Sequence, residues 1–240
     1  MNRLTFVATA AALLAGCGMV RAEGHDGGDA MGSRSFAVHG FDRVSLRGSD
    51  NVVVRVGGAE SVSATGPQDV LDRLEITVVN GELRVSREKH WSWGWSRDHK
   101  PTVITVTLPQ LRAASVAGSG DMKVDRVQTL SFDGSVAGSG NLSIMALTAD
   151  AASLSIAGSG DATIAGAAKS IDVSVAGSGN LDARGLKSER AKISIAGSGD
   201  VRAAVAQEAD VSIVGSGDVD IAGTPKCRVS KVGSGDVRCG

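Results

Sequence analysis

Between residues 118 and 236 the chain writes Gly-Ser-Gly followed by Asp or Asn seven times. The copies start at Gly118, Gly138, Gly158, Gly177, Gly197, Gly215 and Gly233, in steps of 20, 20, 19, 20, 18 and 18 residues. A near-constant period of this length means one supersecondary unit stacked on itself.

Aligned on Gly-Ser-Gly, each column has a meaning. Two positions before the first Gly stand Val116, Val136, Ile156, Val175, Ile195, Ile213 and finally Lys231. Four positions before it stand Ala114, Gly134, Leu154, Val173, Ile193, Val211 and Val229, and every copy has serine between the two. After the Asp or Asn the alternation resumes, as in Leu142-Ser143-Ile144 and Val219-Asp220-Ile221. Apolar, polar, apolar is the period of a half-buried strand, and β-branched residues suit its buried side. Each repeat thus reads as strand, glycine corner, strand and a variable return segment such as Ala165–Ser170 or Ala203–Ala209. Glycine suits the corner because it accepts positive φ and close backbone approach.

Two short strands in 18–20 residues cannot bury an apolar face alone, but stacked copies can, each strand pairing in parallel with its equivalent ~4.8 Å away. The expected fold is all-β, a right-handed parallel β-helix solenoid, with a β-prism or flattened β-roll as the alternative. An antiparallel meander would invert alternate corners, and the columns show no such inversion. Lys231 in a core column marks the rod's exposed end, and Cys227 and Cys239 lie in that same last coil.

Residues 36–110 carry strand character without the clean period. Val52–Val56 follows a degenerate corner, Arg47-Gly48-Ser49-Asp50-Asn51. Asp69–Leu74 suits one helical turn, and Asn80-Gly81 favours a tight type I′ hairpin turn. Val103–Leu108 is a strand ended by Pro109. The succession Gly40–Val44, Asn80–Val85, Ile104–Leu111 and then Val-Ala-Gly-Ser-Gly-Asp resembles the head-GIN domain family of putative auto-transporter adhesins, over about residues 36–238. The resemblance implies a β-helical bacterial envelope protein and brings no catalytic residues with it.

Arg3 is the only charge before the short apolar stretch Leu4–Ala15, which is too short to span a bilayer. Leu14-Ala15-Gly16-Cys17 then resembles a lipoprotein lipobox, which implies cleavage before Cys17 and lipid on that cysteine. Cleavage after Ala22 is the alternative. The expected organisation is a signal peptide over 1–16, a lipidated cysteine and glycine-rich tether over 17–35, and one solenoid domain over 36–240. Within it, 36–110 forms irregular N-terminal coils and a cap, and 111–240 forms the seven regular coils. With Cys17 lipidated, Cys227 and Cys239 remain as a disulfide pair in an oxidising compartment. A formal net charge of −1 shows no nucleic-acid footprint.

Two features are candidates for binding. Carboxylates at Asp121, Asp161, Asp200, Asp218 and Asp236, interleaved with Asn141 and Asn180, would repel one another at stacking distance. Either Ca2+ sits between them, or their side chains turn to cap local backbone. Trp91, Trp93 and Trp95 alternate with Ser92 and Gly94, so in an extended segment all three rings face one way and suit a sugar, an apolar partner or a membrane interface. A loop folded over an end of the rod would instead bury them. His90 and His99 flank them without a metal-site pattern.

No nucleophile–base constellation or phosphate loop stands out, so no enzyme is expected. The functional expectation is a lipid-anchored envelope protein, facing the periplasm or the surface from the outer membrane, with a secreted or periplasmic protein as the alternative. Its partners would be the membrane, through the anchor, and an envelope glycan or protein. A carbohydrate-active enzyme and a bare structural spacer are the alternatives.

Overall fold

The computed structural model describes residues 30–88, 102–223 and 225–240. Its N-terminal part runs β1 (Met31–Phe36), β2 (Arg43–Gly48), β3 (Asn51–Val56), β4 (Ser61–Pro67), the one-turn helix α1 (Gln68–Leu71), β5 (Leu74–Val79), β6 (Glu82–Arg87) and β7 (Val103–Leu108). The coils follow as β8 (Ala113–Gly118), β9 (Met122–Val124), β10 (Val127–Gly138), β11 (Leu142–Gly158), β12 (Ala162–Gly177) and β13 (Leu181–Gly197). The last four strands are β14 (Val201–Gly215), β15 (Val219–Ala222), β16 (Lys226–Gly233) and β17 (Val237–Cys239).

All seventeen strands belong to one sheet wound into a β-solenoid. From β10 onward each strand pairs in parallel with its equivalent one coil on. Val136 lies beside Ile156, then Val175, Ile195, Ile213 and Lys231 in one unbroken column. These side chains are buried up to Ile213, and burial of such columns is the main favourable term in the fold.

The return segments, variable in sequence, are strand. In β11 the chain stays in strand for 17 residues from one corner to the next. Leu147 and Ala149 point inward there, and Met145–Ala146 and Asp150–Ala151 are outward-facing pairs that mark two further bends. Each coil therefore has three sides. The variation in repeat length is absorbed where the register shifts, between Ile144 and Leu147, Thr163 and Gly166, Ala183 and Lys187, and Ser188 and Arg190. The glycine corner and the side preceding it stay in step throughout.

At the N-terminal end, stacking order departs from chain order. β2 lies between β6 and β8, and β3 between β7 and β9, all in parallel. Gly48 aligns with Gly118, so the degenerate corner is an eighth member of the series. The coil made by β6 and β7 stacks outside it. Antiparallel β5, β4 and β1 then end the parallel pairing. The hairpin between β5 and β6 turns at Asn80 (φ 51°) and Gly81 (φ 77°), as the Asn-Gly signal requires.

Among the described residues, β16 pairs only with β14 and β17 only with β15. This last coil is closed by a Cys227–Cys239 disulfide with a Cα–Cα separation of 6.7 Å.

Candidate functional site

The corner explains why the repeat needs two glycines and an Asp or Asn. The first glycine of all seven copies holds φ between 119° and 138°, a region that L side chains avoid. The second is constrained by crowding, since a Cβ on Gly179 would overlap the carbonyl oxygen of Gly160, one coil back. Asp50 takes that second-glycine position in the eighth corner. In the coil behind it, Arg87 at the end of β6 reaches Asp50. The Arg87 Nε donates to Asp50 Oδ2 at 2.8 Å, with a second bond from its Nη2. Asp50 is only 2% exposed, so this pairing is what allows a carboxylate to remain there.

The Asp/Asn column forms a continuous hydrogen-bond ladder. Asn51 Oδ1 accepts the backbone N–H of Asp121 at 3.3 Å, and Asp121 Oδ1 accepts that of Asn141 at 3.2 Å. Asn141, Asp161, Asn180, Asp200 and Asp218 repeat the contact toward the next coil, ending on the N–H of Asp236 at 2.8 Å. The order Asn51, Asp121, Asn141, Asp161, Asn180, Asp200 alternates amide and carboxylate, so like charges are not adjacent along it. Asn141 and Asn180 also donate from Nδ2 to Asp121 and Asp161, at 2.8 and 3.0 Å. Of the two readings of this column, the geometry is that of side chains capping backbone. Among the described residues, no group of three or more His, Cys, Asp or Glu is placed to hold a metal ion.

The side that precedes the glycine corner carries two outward columns of small residues. Ser135, Ser155, Ser174, Ser194 and Ser212 form one outward column, and Ala137, Ala157, Ala176 and Ala196 the next. The column continues as Val214 and Val232, which are 58% and 69% exposed. A shallow depression of about 290 Å³ adjoins it, bordered by Ser153, Ser170, Arg190, Lys192, Glu208 and Asp210. The serine column repeats from coil to coil, so a ligand that meets one serine meets a row of equivalents ~4.8 Å apart, while the groups bordering the depression differ between coils.

Charge perturbations lie on the flanks. The Arg184 hydrogen bond holds the Asp182 carboxyl below its usual range, against a smaller opposing effect of burial. Burial pushes Glu82 up, but the hydrogen bond and charge of Arg84, with Ser45 and Arg47, more than offset it and leave the group lowered.

Cys17 and the tryptophans Trp91, Trp93 and Trp95, with His90 and His99, lie outside the described residues. The ends of the tryptophan segment are placed. β6 and β7 pair with β2 and β3, so residues 88–102 connect two strands at the position that a tight corner occupies in other coils. Sequence reasoning missed the Asp50–Arg87 pair and the alternation of amide and carboxylate; only the second had a visible signal, in Asn51 through Asp200. Among the described residues no helix is long and apolar enough to cross a membrane.

Comparison with solved structures finds the same architecture elsewhere. A putative adhesin from Bacteroides fragilis NCTC 9343 is 24% identical over 87% of this chain and 96% of its own, with a TM-score of 0.80. A putative lipid binding protein from Parabacteroides distasonis ATCC 8503 is also 24% identical, over 86% and 95%, with a TM-score of 0.67. A putative adhesin from Parabacteroides merdae ATCC 43184 is 17% identical over 86% and 95%, again at 0.67. No curated protein matches the chain. The family model described as putative auto-transporter adhesin, head GIN domain, matches residues 40–225, and the chain belongs to that family.

Proposed function

We propose that this chain is a non-enzymatic protein of the bacterial cell envelope, held to the membrane by lipid on Cys17, whose solenoid presents a binding surface. The observation that carries this reading is the periodic outer side. Its Ser column recurs in every regular coil and its Ala column changes only to Val in the last two, which suits extended contact with a repeating or planar partner. Catalysis needs the opposite, a single constellation set apart from its neighbours. The family's adhesin description agrees with a surface role in an envelope or extracellular setting.

Trp91, Trp93 and Trp95, which alternate with Ser92 and Gly94 in sequence, are the aromatic candidates for contact with the partner, and an envelope glycan suits both stacking on aromatic rings and serine columns. The test is binding of the full chain to isolated bacterial sacculi. Replacing the three tryptophans with Ala should remove binding and leave the melting temperature unchanged. A collapse of the melt would assign them to the core, and unchanged binding would overturn their role. Cys17→Ser should move the protein from the membrane fraction to the soluble one.

A further inference from the structure

Three outward columns alternate in sign along the last coils. One runs Asp172, Lys192, Asp210, Arg228. A second runs Arg190, Glu208, Lys226, and a third Asp182, Arg202, Asp220, Arg238. Opposite charges directly across neighbouring strands stabilise a sheet, and like charges there destabilise it. Each column stops on a base at the free edge. From residue 226 onward the chain holds Lys226, Arg228, Lys231 and Arg238 against one acid, Asp236; Arg228 is shared with Glu208 and Asp210 of the coil behind, so its outer side completes the alternation. In this pattern the next rung would be acidic.

The edge itself is open on one side. β16 pairs only with β14 among the described residues, so one row of its backbone N–H and C=O groups faces outward. Val232 and Val229, 69% and 48% exposed, stand beside that row. Lys231 decides what can dock there. It occupies the column that is Val or Ile in the preceding coils, and its Nζ donates to Gly235 O at 2.6 Å in the corner that follows, 3.6 Å from Asp236 Oδ1. An inward charge at this place stops a second apolar coil from continuing the core. It leaves the backbone of β16 free to take a single strand.

We propose that β16 accepts an extended acidic strand from a partner protein by β-augmentation. Two carboxylates, two residues apart, face Lys226 and Arg228, and an apolar side chain four residues beyond the second covers Val232. Main-chain hydrogen bonds give the affinity and the alternating outward positions give the specificity. A second copy joined tail to tail would oppose base to base, so the charge pattern favours a different chain. This edge is separate from the serine and alanine surface, and the inference does not rest on the role proposed for it.

The test uses the full chain and the labelled peptide acetyl-Glu-Thr-Glu-Thr-Thr-Thr-Val-amide at about 0.15 M salt. Two controls accompany it: the same peptide with Lys in place of Glu, and the acidic peptide N-methylated at alternate residues. The acidic peptide should bind at least about tenfold more tightly than the lysine peptide, and the N-methylated one should fail. Amide exchange should slow in residues 226–233 and nowhere else. The double variant Lys226→Glu with Arg228→Glu should reverse the preference and take the lysine peptide, an outcome that also shows its edge is folded. Equal binding of the N-methylated peptide, exchange that does not slow at β16, or self-association that occupies the edge would each overturn the proposal.

Discussion

The Oδ1 atom of Asp161 accepts both the backbone N–H and the side-chain amide of Asn180, one coil on, at 2.8 and 3.0 Å. The contact joins residues 19 apart in sequence and fixes two corners against each other. A corner residue that binds its neighbour in this way is part of the scaffold.

Gly179→Ala should cost about 3 kcal/mol, because its Cβ would meet the Gly160 carbonyl on one side and Ile156 on the other. Ser178→Ala, in the same corner and exposed, should be nearly neutral. Denaturant unfolding of the two variants checks the contrast, and equal losses would show that the corner is not crowded.

Reducing the Cys227–Cys239 bridge, which spans 12 residues, should cost about 2–3 kcal/mol at the C-terminal end. The loss should be local. Hydrogen exchange should quicken in β16 and β17, while β11 to β13, paired on both sides, keep their protection. Uniform quickening along the rod would mean that the solenoid unfolds as one unit.

Acid should weaken the fold in part through Asp182 and Glu82. Both carboxyls are lowered in the folded state, Asp182 by the Arg184 hydrogen bond and Glu82 by Arg84 and Arg47 against the opposing effect of burial. A lowered carboxyl contributes stability above its unfolded value and loses it as pH falls through the folded one, so the decline lies below about pH 4. The double variant Asp182→Asn with Glu82→Gln should flatten the melting curve against pH in that window. An unchanged slope would assign acid sensitivity to other groups.

How much was legible in the sequence differs from element to element. The regular corners were plain, because Gly118 through Gly233 recur at a near-fixed step and their flanking columns alternate. The third side of each coil was not. Residues such as Ala165–Ser170 vary in length and composition, and what makes them strand is the backbone of the next coil running beside them. The order of the N-terminal strands was also hidden. Gly48 aligns with Gly118 across 70 residues, and no local signal announces that β6 and β7 return to the far side of β2 and β3. Asp50 departs from the two-glycine rule for a reason visible only in three dimensions: Arg87, 37 residues away in sequence, pairs with it. The disulfide followed from counting cysteines. The binding role of Trp91, Trp93 and Trp95 rests on their spacing alone.

The central claim is that the Asp/Asn column holds the rod by hydrogen bonds to backbone. Asp200, Asp218 and Asp236 test it best, because they are three carboxylates in succession with no amide between them. The measurement is the thermal melt of Asp218→Asn, in EDTA and in millimolar Ca2+. An amide keeps the oxygen that accepts the Asp236 N–H, adds a donor toward Asp200 and removes two like-charge neighbours. The account therefore predicts a melting temperature equal to or above that of the parent, with no response to Ca2+ in either protein. A parent stabilised by about 3 kcal/mol when Ca2+ is ~100-fold above its Kd, with that gain lost in Asp218→Asn, would contradict it and make the column a metal site.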